Sequence, residues 1–174
     1  ITLDPFRYPT ITQFHLSNAI TKALTGPIGS NKTGAAIHEI LLRAGLWVCY
    51  GRPDLCIEPD KYGVRKSKAV IIRNSANLLQ TTVLSRWTEL LPREIWAPVG
   101  QNMWILKPKI CLPLPDDTTM ELAVHFMPFN GDDAVVRAKS LEATFIWVEE
   151  ADQTPFPVIS ELSTRVGRYP MYQS

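Results

Sequence analysis

Long hydrophobic runs are absent from this 174-residue sequence. Its longest apolar stretch, residues 46–50, has the length of a strand, whereas a helix needs about 20 apolar residues to cross a bilayer. Cysteine is also scarce, because Cys49, Cys56 and Cys111 are an odd number without the spacing of a metal site. Free thiols in a reducing, intracellular setting are the interpretation that this pattern favours.

Neither sign of charge is in excess. The 18 Lys and Arg residues against 17 Asp and Glu residues leave a net charge of +1, which argues against a strongly basic nucleic-acid-binding protein but allows a local basic patch. The hydrophobic fraction of 45% and the charged fraction of 20% are those of a globular chain, and the length suits one domain. Because the chain opens on Ile1, we expect it to be part of a longer protein.

Apolar residues at helical spacing predict two helices in the first third of the chain. The first covers residues 16–24 and the second residues 33–44, joined by a polar, glycine-containing connection. Residues 1–15 are expected to be extended, because Asp4 and Tyr8 each precede a proline. Residues 153–174 contain further prolines and are expected to form a tail. Residues 16–152 would then be the folded domain.

Alternation of apolar and polar residues predicts strands in the second half. Residues 120–126 and 141–148 alternate with period two, and the turn residues at 130–133 suggest that these two strands pair antiparallel. Further strands are expected at residues 46–50, 69–72 and 103–112, and a helix over part of residues 75–91. The sequence therefore predicts an α+β fold: a two-helix hairpin packed on a mainly antiparallel sheet or small β-sandwich, with a mostly β C-terminal half.

The sharpest motif is the segment from Gly26 to Gly34, which nearly matches the phosphate-binding pattern G-x-x-x-x-G-K-T. Asn31 stands where that pattern has its second glycine, and Pro27 removes one backbone donor. The predicted helix 16–24 also stands where a buried strand should precede such a loop. We therefore interpret the segment as a helix–helix connection in which Thr33 is the N-cap.

A basic segment and an exposed loop are the candidate binding features. Such a basic segment can attract lipid headgroups or a nucleic-acid backbone, although a solvated face is the simpler interpretation; its residues are Lys61, Arg65, Lys66, Lys68 and Arg73. A tryptophan in a loop can anchor a partner, which points to Ile95, Trp96 and Pro98. Aromatic residues near the termini are candidates for self-assembly, namely Phe6, Tyr8, Tyr169 and Tyr172.

Catalytic and metal sites are not predicted. His15, His38 and His125 lie far apart in the sequence, and acid pairs such as Glu149–Glu150 are typical of solvated turns at strand ends. We therefore expect a non-catalytic protein without a cofactor or a bound metal ion.

The order of elements between Thr12 and Glu150 resembles the matrix proteins of rhabdoviruses. The resemblance rests on the two helices rich in small residues (19–24 and 35–44) and on the late strand 120–126 after a proline-rich loop. It implies a shell protein of the virion and host cytoplasm, at the inner face of the membrane. Such a protein self-associates, binds the viral nucleoprotein and an anionic membrane, and has no small-molecule substrate.

Three alternatives stay open from the sequence. The first is a viral coat protein with a β-sandwich (jelly-roll) body, whose helices would be confined to short connections. The second is a nucleotide-binding enzyme that uses residues 26–34 and Lys32. The third is an intracellular adaptor with a pocket for a small ligand.

Overall fold

The computed structural model describes residues 4–27, 29–92, 95–97, 109–129, 131 and 133–170. Within these ranges the chain has six α-helices and one five-stranded sheet, which confirms the α+β class. The described residues form a single sheet with helices on both faces, so a two-sheet sandwich body is not the fold. No helix in the described part of the chain is long and apolar enough to span a bilayer.

The sheet is mixed, with the strand order β2-β3-β4-β1-β5. Its strands are β1 (Val64–Arg73), β2 (Trp96–Ala97), β3 (Lys109–Pro113), β4 (Thr119–Pro128) and β5 (Phe145–Val148). Strands β4 and β5 each pair parallel with β1, whereas β3 pairs antiparallel with β4 and with β2.

The expected antiparallel pairing of the two late strands is wrong, and so is a mainly antiparallel sheet. Helix α5 (Ala134–Lys139) follows β4, and the chain then crosses to the far side of β1 before it forms β5. A connection that contains a helix returns the chain in the parallel direction. The strand predicted at 141–148 is shorter in the structure, where β5 covers only Phe145–Val148. Most of the strand predicted at 103–112 lies outside the described residues.

Strand β1 is buried on both faces, which explains its continuous apolar sequence. Ala69 and Ile71 face one core, to which the sheet and the helices of the first half contribute. Val70 and Ile72 face a second core built with α5 and α6 (Phe156–Ser163). The sheet therefore lies between two helical layers.

The N-terminal helix lies earlier than expected. Helix α1 runs over Pro9–Leu16, and residues 17–27 are not helical, so the predicted extended segment and the predicted first helix are both misplaced. Tyr8 is extended, as a residue before proline should be. Pro9 itself suits the first helical position, where no backbone donor is needed.

Helix α2 (Lys32–Ala44) confirms the second predicted helix. The chain then turns at Gly45 into a 3₁₀-helix over Leu46–Tyr50, where a strand was predicted. This turn buries Trp47 in a small core with Leu42 and Leu55. The apolar run at 46–50 therefore reflects burial rather than sheet pairing.

A continuous helical stretch follows β1 and confirms the helix predicted within 75–91. It consists of α3 (Ala76–Leu78), a π-helical segment (Leu79–Leu84) and α4 (Ser85–Leu90). Its core-facing side chains are Leu79, Val83 and Trp87.

The C-terminal region is part of the folded domain. Helix α6 buries Val158 and Leu162 in the same core as Ala134 and Ala138 of α5. A draped tail from residue 153 is therefore not what the described residues form.

Candidate functional site

The parallel strands β4, β1 and β5 end at the same edge of the sheet, here called the carboxyl edge. Arg73 is the last residue of β1, and Glu149 and Glu150 directly follow β5. Open sheets with parallel strands bind ligands outside the carboxyl ends of those strands. This edge is therefore the first place to look for a site.

Helix α2 begins at the carboxyl edge. The Thr33 hydroxyl donates a 2.8 Å hydrogen bond to Oε1 of Glu149. At the other end of the helix, Gly45 lies against Met120 near the start of β4, where an added Cβ would be 3.0 Å from Met120 Cβ. Helix α2 thus runs antiparallel to β4, and its unpaired N-terminal amides open at the carboxyl edge, where they favour an anion.

The loop before α2 folds around its own lysine. The Lys32 ammonium donates hydrogen bonds to the carbonyls of Gly26 and Pro27, both at 2.8 Å, and to Oγ of Ser30 at 3.3 Å. The preceding residues 17–27 are not helical. The helix expected directly before this loop is therefore absent, but the strand that precedes a phosphate-binding loop is absent there as well.

Asn31 has a left-handed backbone conformation, which glycine adopts more readily than other residues. Its φ of 58° and ψ of 28° lie in the left-handed region, which asparagine tolerates better than most residues. Asn31 therefore has a left-handed conformation of the kind that glycine adopts without steric cost.

The two acids after β5 are held differently. Glu149 accepts the bond from Thr33, whereas Glu150 pairs with Arg73 at an Nη2–Oε2 distance of 2.6 Å. Glu150 also has a left-handed backbone, with φ of 53°, which costs a non-glycine residue on the order of 1 kcal/mol. The interpretation of this pair as solvated turn residues missed both contacts. The feature of the sequence that could have indicated them is the position of two acids directly after an apolar strand.

The five predicted basic residues do not form one patch. Arg65 and Arg73 are each only 4% exposed and share the β1 face that carries Ala69 and Ile71, because side chains alternate along a strand. Arg65 donates to Asp116 at 2.9 Å, at the amino end of β1, and Arg73 lies at the carboxyl edge.

The three lysines of that set lie elsewhere. Lys66 and Lys68 point to the opposite face of β1; Lys66 pairs with Asp60 at 3.3 Å and Lys68 lies over the ring of Tyr169 at 4.2 Å. Lys61 is exposed beside Tyr62.

The predicted partner loop is not an exposed anchor. Trp96 is 3% exposed and its indole N–H donates to the carbonyl of Leu91 at 3.1 Å, while Ile95 packs at the edge of the same core. Pro98 lies outside the described residues. An indole that is buried within its own domain is not available to a partner.

The terminal aromatics predicted for self-assembly have mixed surroundings. Phe6 and Tyr8 are about half exposed, although the Phe6 ring also contacts Trp47, at 5.9 Å between ring centroids. Tyr169 packs under Lys68. Tyr172 lies outside the described residues.

A second polar cluster is centred on Glu39 of α2, about two turns from Lys32. The Glu39 carboxylate accepts bonds from His15 at 2.7 Å, Lys22 at 2.5 Å and Arg43 at 3.0 Å. Arg43 in turn donates to the carbonyls of His15 and Ser17. Because these contacts tie the α1 region to α2, the cluster is a structural clasp. In the described ranges no three His, Cys, Asp or Glu side chains are grouped as a metal site.

The comparisons with known proteins identify no relative. No protein-family model matches the chain, and neither the curated proteins nor the solved structures include a significant match.

Proposed function

We propose that this chain binds a nucleoside triphosphate with Mg²⁺ at the carboxyl edge and hydrolyses it. The observation that supports this most strongly is the hydrogen bond between Thr33 and Glu149. It joins the hydroxyl at the end of a G-x-x-x-x-N-K-T loop to a carboxylate at the end of a parallel strand. Phosphate-binding loops bring together the same two groups beside the metal ion.

The phosphates bind at the N-terminus of α2 in this proposal. The Lys32 ammonium donates to the carbonyls of Gly26 and Pro27. These acceptors carry no charge, so an anionic phosphate oxygen, which pairs charge with charge, would be a stronger partner for the ammonium. The amides of the first turn of α2 add donors and a favourable dipole. Loop and helix together provide the positive environment that a polyphosphate requires.

The residues at the edge fit a magnesium ion. Mg²⁺ in such sites is held by one or two carboxylates together with substrate phosphates and water, and Thr33 and Glu149 supply a hydroxyl and a carboxylate in mutual contact. The bound ion would neutralise charge that develops on the phosphates.

Glu150 is the group that we assign to the attacking water. It follows Glu149 directly, is 41% exposed at its side chain and is held by the buried Arg73. A carboxylate that is oriented by a fixed guanidinium can accept a hydrogen bond from water and direct it. Arg73 touches neither water nor nucleotide in this scheme and acts as a positioning residue.

Titration of the purified chain with Mg²⁺-ATP and Mg²⁺-GTP tests the proposal. Substitution Lys32→Ala should weaken binding by about 10- to 100-fold, which corresponds to the loss of charged hydrogen bonds worth about 1.5–3 kcal/mol. Lys61→Ala is the matched control, because Lys61 is an exposed lysine far along the chain from the loop, and it should bind like the wild type.

Phosphate release separates binding from hydrolysis. Glu150→Gln should bind the triphosphate with little change in affinity but release phosphate at least about 100-fold more slowly, the usual contribution of a general base. A wild-type chain that binds no triphosphate, or a Lys32→Ala variant that binds it equally well, would refute the proposed function.

The matrix-like function remains a prediction beside this one. Self-association, nucleoprotein binding and membrane attachment have no specific support in the described residues, because the predicted basic segment is divided between two faces of β1 and Trp96 is buried. The nucleotide-binding function has a motif, a lysine and a paired hydroxyl and carboxylate in one place. We therefore favour it.

A further inference from the structure

Asn31 brings a side chain into a loop position where the phosphate-binding pattern has a glycine. The space for it comes from Gly34, since a Cβ on that residue would lie 2.3 Å from Asn31 Oδ1 and 2.9 Å from its Cγ. Real side chains do not approach so closely. The asparagine amide therefore lies over residue 34 in a position that only glycine at 34 allows.

The oxygen of this amide is bound by an arginine from another element. Nη2 of Arg86, in α4, donates a 3.0 Å hydrogen bond to Asn31 Oδ1 across 55 residues of sequence. Nη1 of the same guanidinium pairs with Glu89 at 2.8 Å. A glycine at position 31 would leave Arg86 without its contact to the loop.

Arg86 remains accessible to a ligand. Its side chain is 39% exposed, and the guanidinium has N–H groups beyond the two that bind Asn31 and Glu89. Because Asn31 directly precedes Lys32, the Asn31–Arg86 bond holds a second cation beside the loop that carries the first. Burial, His15 and Arg86 together lower the pKa of His38, one turn beyond Gly34 on α2, which agrees with the guanidinium lying close to this helix.

We propose that Arg86 is a phosphate-binding residue of this site and that Asn31 positions it. This inference rests on the proposed function. A second cation beside Lys32 acts most strongly on the ligand with the most negative charge, so Arg86 favours a triphosphate over a diphosphate. Arginine suits this task because its planar guanidinium can bind a phosphate through two parallel hydrogen bonds.

Calorimetric affinities for Mg²⁺-ATP and Mg²⁺-ADP test the assignment. Arg86→Gln should bind ATP about 10- to 50-fold more weakly, the size expected for a lost charged contact, while its affinity for ADP should change by less than about 3-fold. Arg86→Lys keeps the charge but not the two-pronged geometry, so it should recover part of the ATP affinity. Asn31→Gly should lower ATP affinity less than Arg86→Gln does.

Glu89→Gln is the matched control. It removes the other partner of Arg86 and leaves the Asn31 contact, so both affinities should stay within about 2-fold of wild type, because an exposed ion pair contributes little. Unchanged thermal midpoints would show that the variants fold.

Two results would overturn the inference alone. One is an Arg86→Gln variant with wild-type ATP affinity, and the other is an equal loss for ATP and ADP, which would indicate a general structural role. In either case Lys32→Ala would still weaken ATP binding by about 10- to 100-fold. A wild-type chain without affinity for either nucleotide would instead remove the proposed function and this inference together.

Discussion

Arg73 and Glu150 form an ion pair that joins the end of β1 to the residue pair after β5, with 2.6 Å between Nη2 and Oε2. Nη1 of Arg73 donates to the Thr82 hydroxyl at 2.5 Å, within the π-helical segment. Such π-helical segments often occur at functional sites. Arg73 thus links three elements at the carboxyl edge, although its place in the sequence suggested part of a solvated basic patch.

Replacement of this arginine should affect turnover more than substrate binding. In Arg73→Leu the side chain still fills the buried space, but Glu150 loses the group that orients it. We expect kcat for triphosphate hydrolysis to fall about 10- to 100-fold, as small misplacements of reacting groups do, with KM changed by less than about 3-fold. Steady-state phosphate release measures both quantities.

Thr82→Val separates the positioning of Glu150 by Arg73 from the contact between Arg73 and the π-helical segment. It removes the hydroxyl contact but leaves the Arg73–Glu150 pair, so kcat should remain near the wild-type value. A normal kcat in Arg73→Leu would contradict the positioning role.

The clasp around Glu39 should contribute substantially to stability. Glu39→Gln leaves the cations of Lys22 and Arg43 without their partly buried counter-charge, and breaking such a pair costs about 3–5 kcal/mol when it is fully buried. Because these side chains retain some exposure, we expect about 2–3 kcal/mol. Urea unfolding measures this loss.

Limited proteolysis should locate the part of the chain that Glu39→Gln destabilises. We expect new cleavage within residues 9–22, because the clasp holds this segment against α2. The exposed Glu58 provides the control, and Glu58→Gln should unfold like the wild type. An equal stability of both variants would show that the clasp carries no net stabilisation.

His38 should make the fold sensitive to mild acid. Burial, the nearby His15 and Arg86 lower the pKa of His38 to about 4, so the folded state holds the neutral ring. The unfolded chain takes up the proton near pH 6.5, and the free energy of unfolding should therefore fall as the pH drops from about 6.5 to about 4. His38→Gln should remove this part of the decline.

Glu39 adds a separate decline at lower pH. Burial alone would raise its pKa, but hydrogen bonds from His15, Lys22 and Arg43 outweigh burial and lower the pKa. Its contribution is complete above about pH 4.5 and is lost as the pH falls through the lowered value. Unfolding curves measured between pH 7 and pH 3 would distinguish the two groups, and an identical slope from pH 6.5 to pH 4.5 in His38→Gln would contradict the assignment to His38.

The fit between Asn31 and Gly34 predicts a compensating double substitution. Gly34→Ala forces the Asn31 amide away from its present position and should weaken triphosphate binding by about 5- to 10-fold through loss of the Arg86 contact. In Asn31→Gly the added methyl at residue 34 has room, so Asn31→Gly/Gly34→Ala should bind no worse than Asn31→Gly alone. Additive losses in the double variant would contradict the steric explanation.

Some elements followed from local pattern alone. In helix α2 the apolar residues recur at helical spacing, and in strand β4 they alternate with polar ones. Each element therefore buries one face, and both lie where predicted. The strand predicted at residues 46–50 is wrong, because burial in a 3₁₀-helix produces the same apolar run as burial in a strand. The restriction on a residue before proline correctly predicts an extended Tyr8, but it does not apply to Pro9 itself, whose ring suits the first turn of α1.

The sequence by itself determined the α+β class, the near-match of residues 26–34 to a phosphate loop and the acid pair at 149–150, because composition and short-range period are properties of neighbouring residues. Only the tertiary structure decided that β5 joins β1, that Arg73 is buried and that Thr33 meets Glu149 across 116 residues. The physical reason is that a strand's partner and a side chain's surroundings depend on which distant segments bury their apolar faces together. The local pattern of a sequence does not reveal that choice.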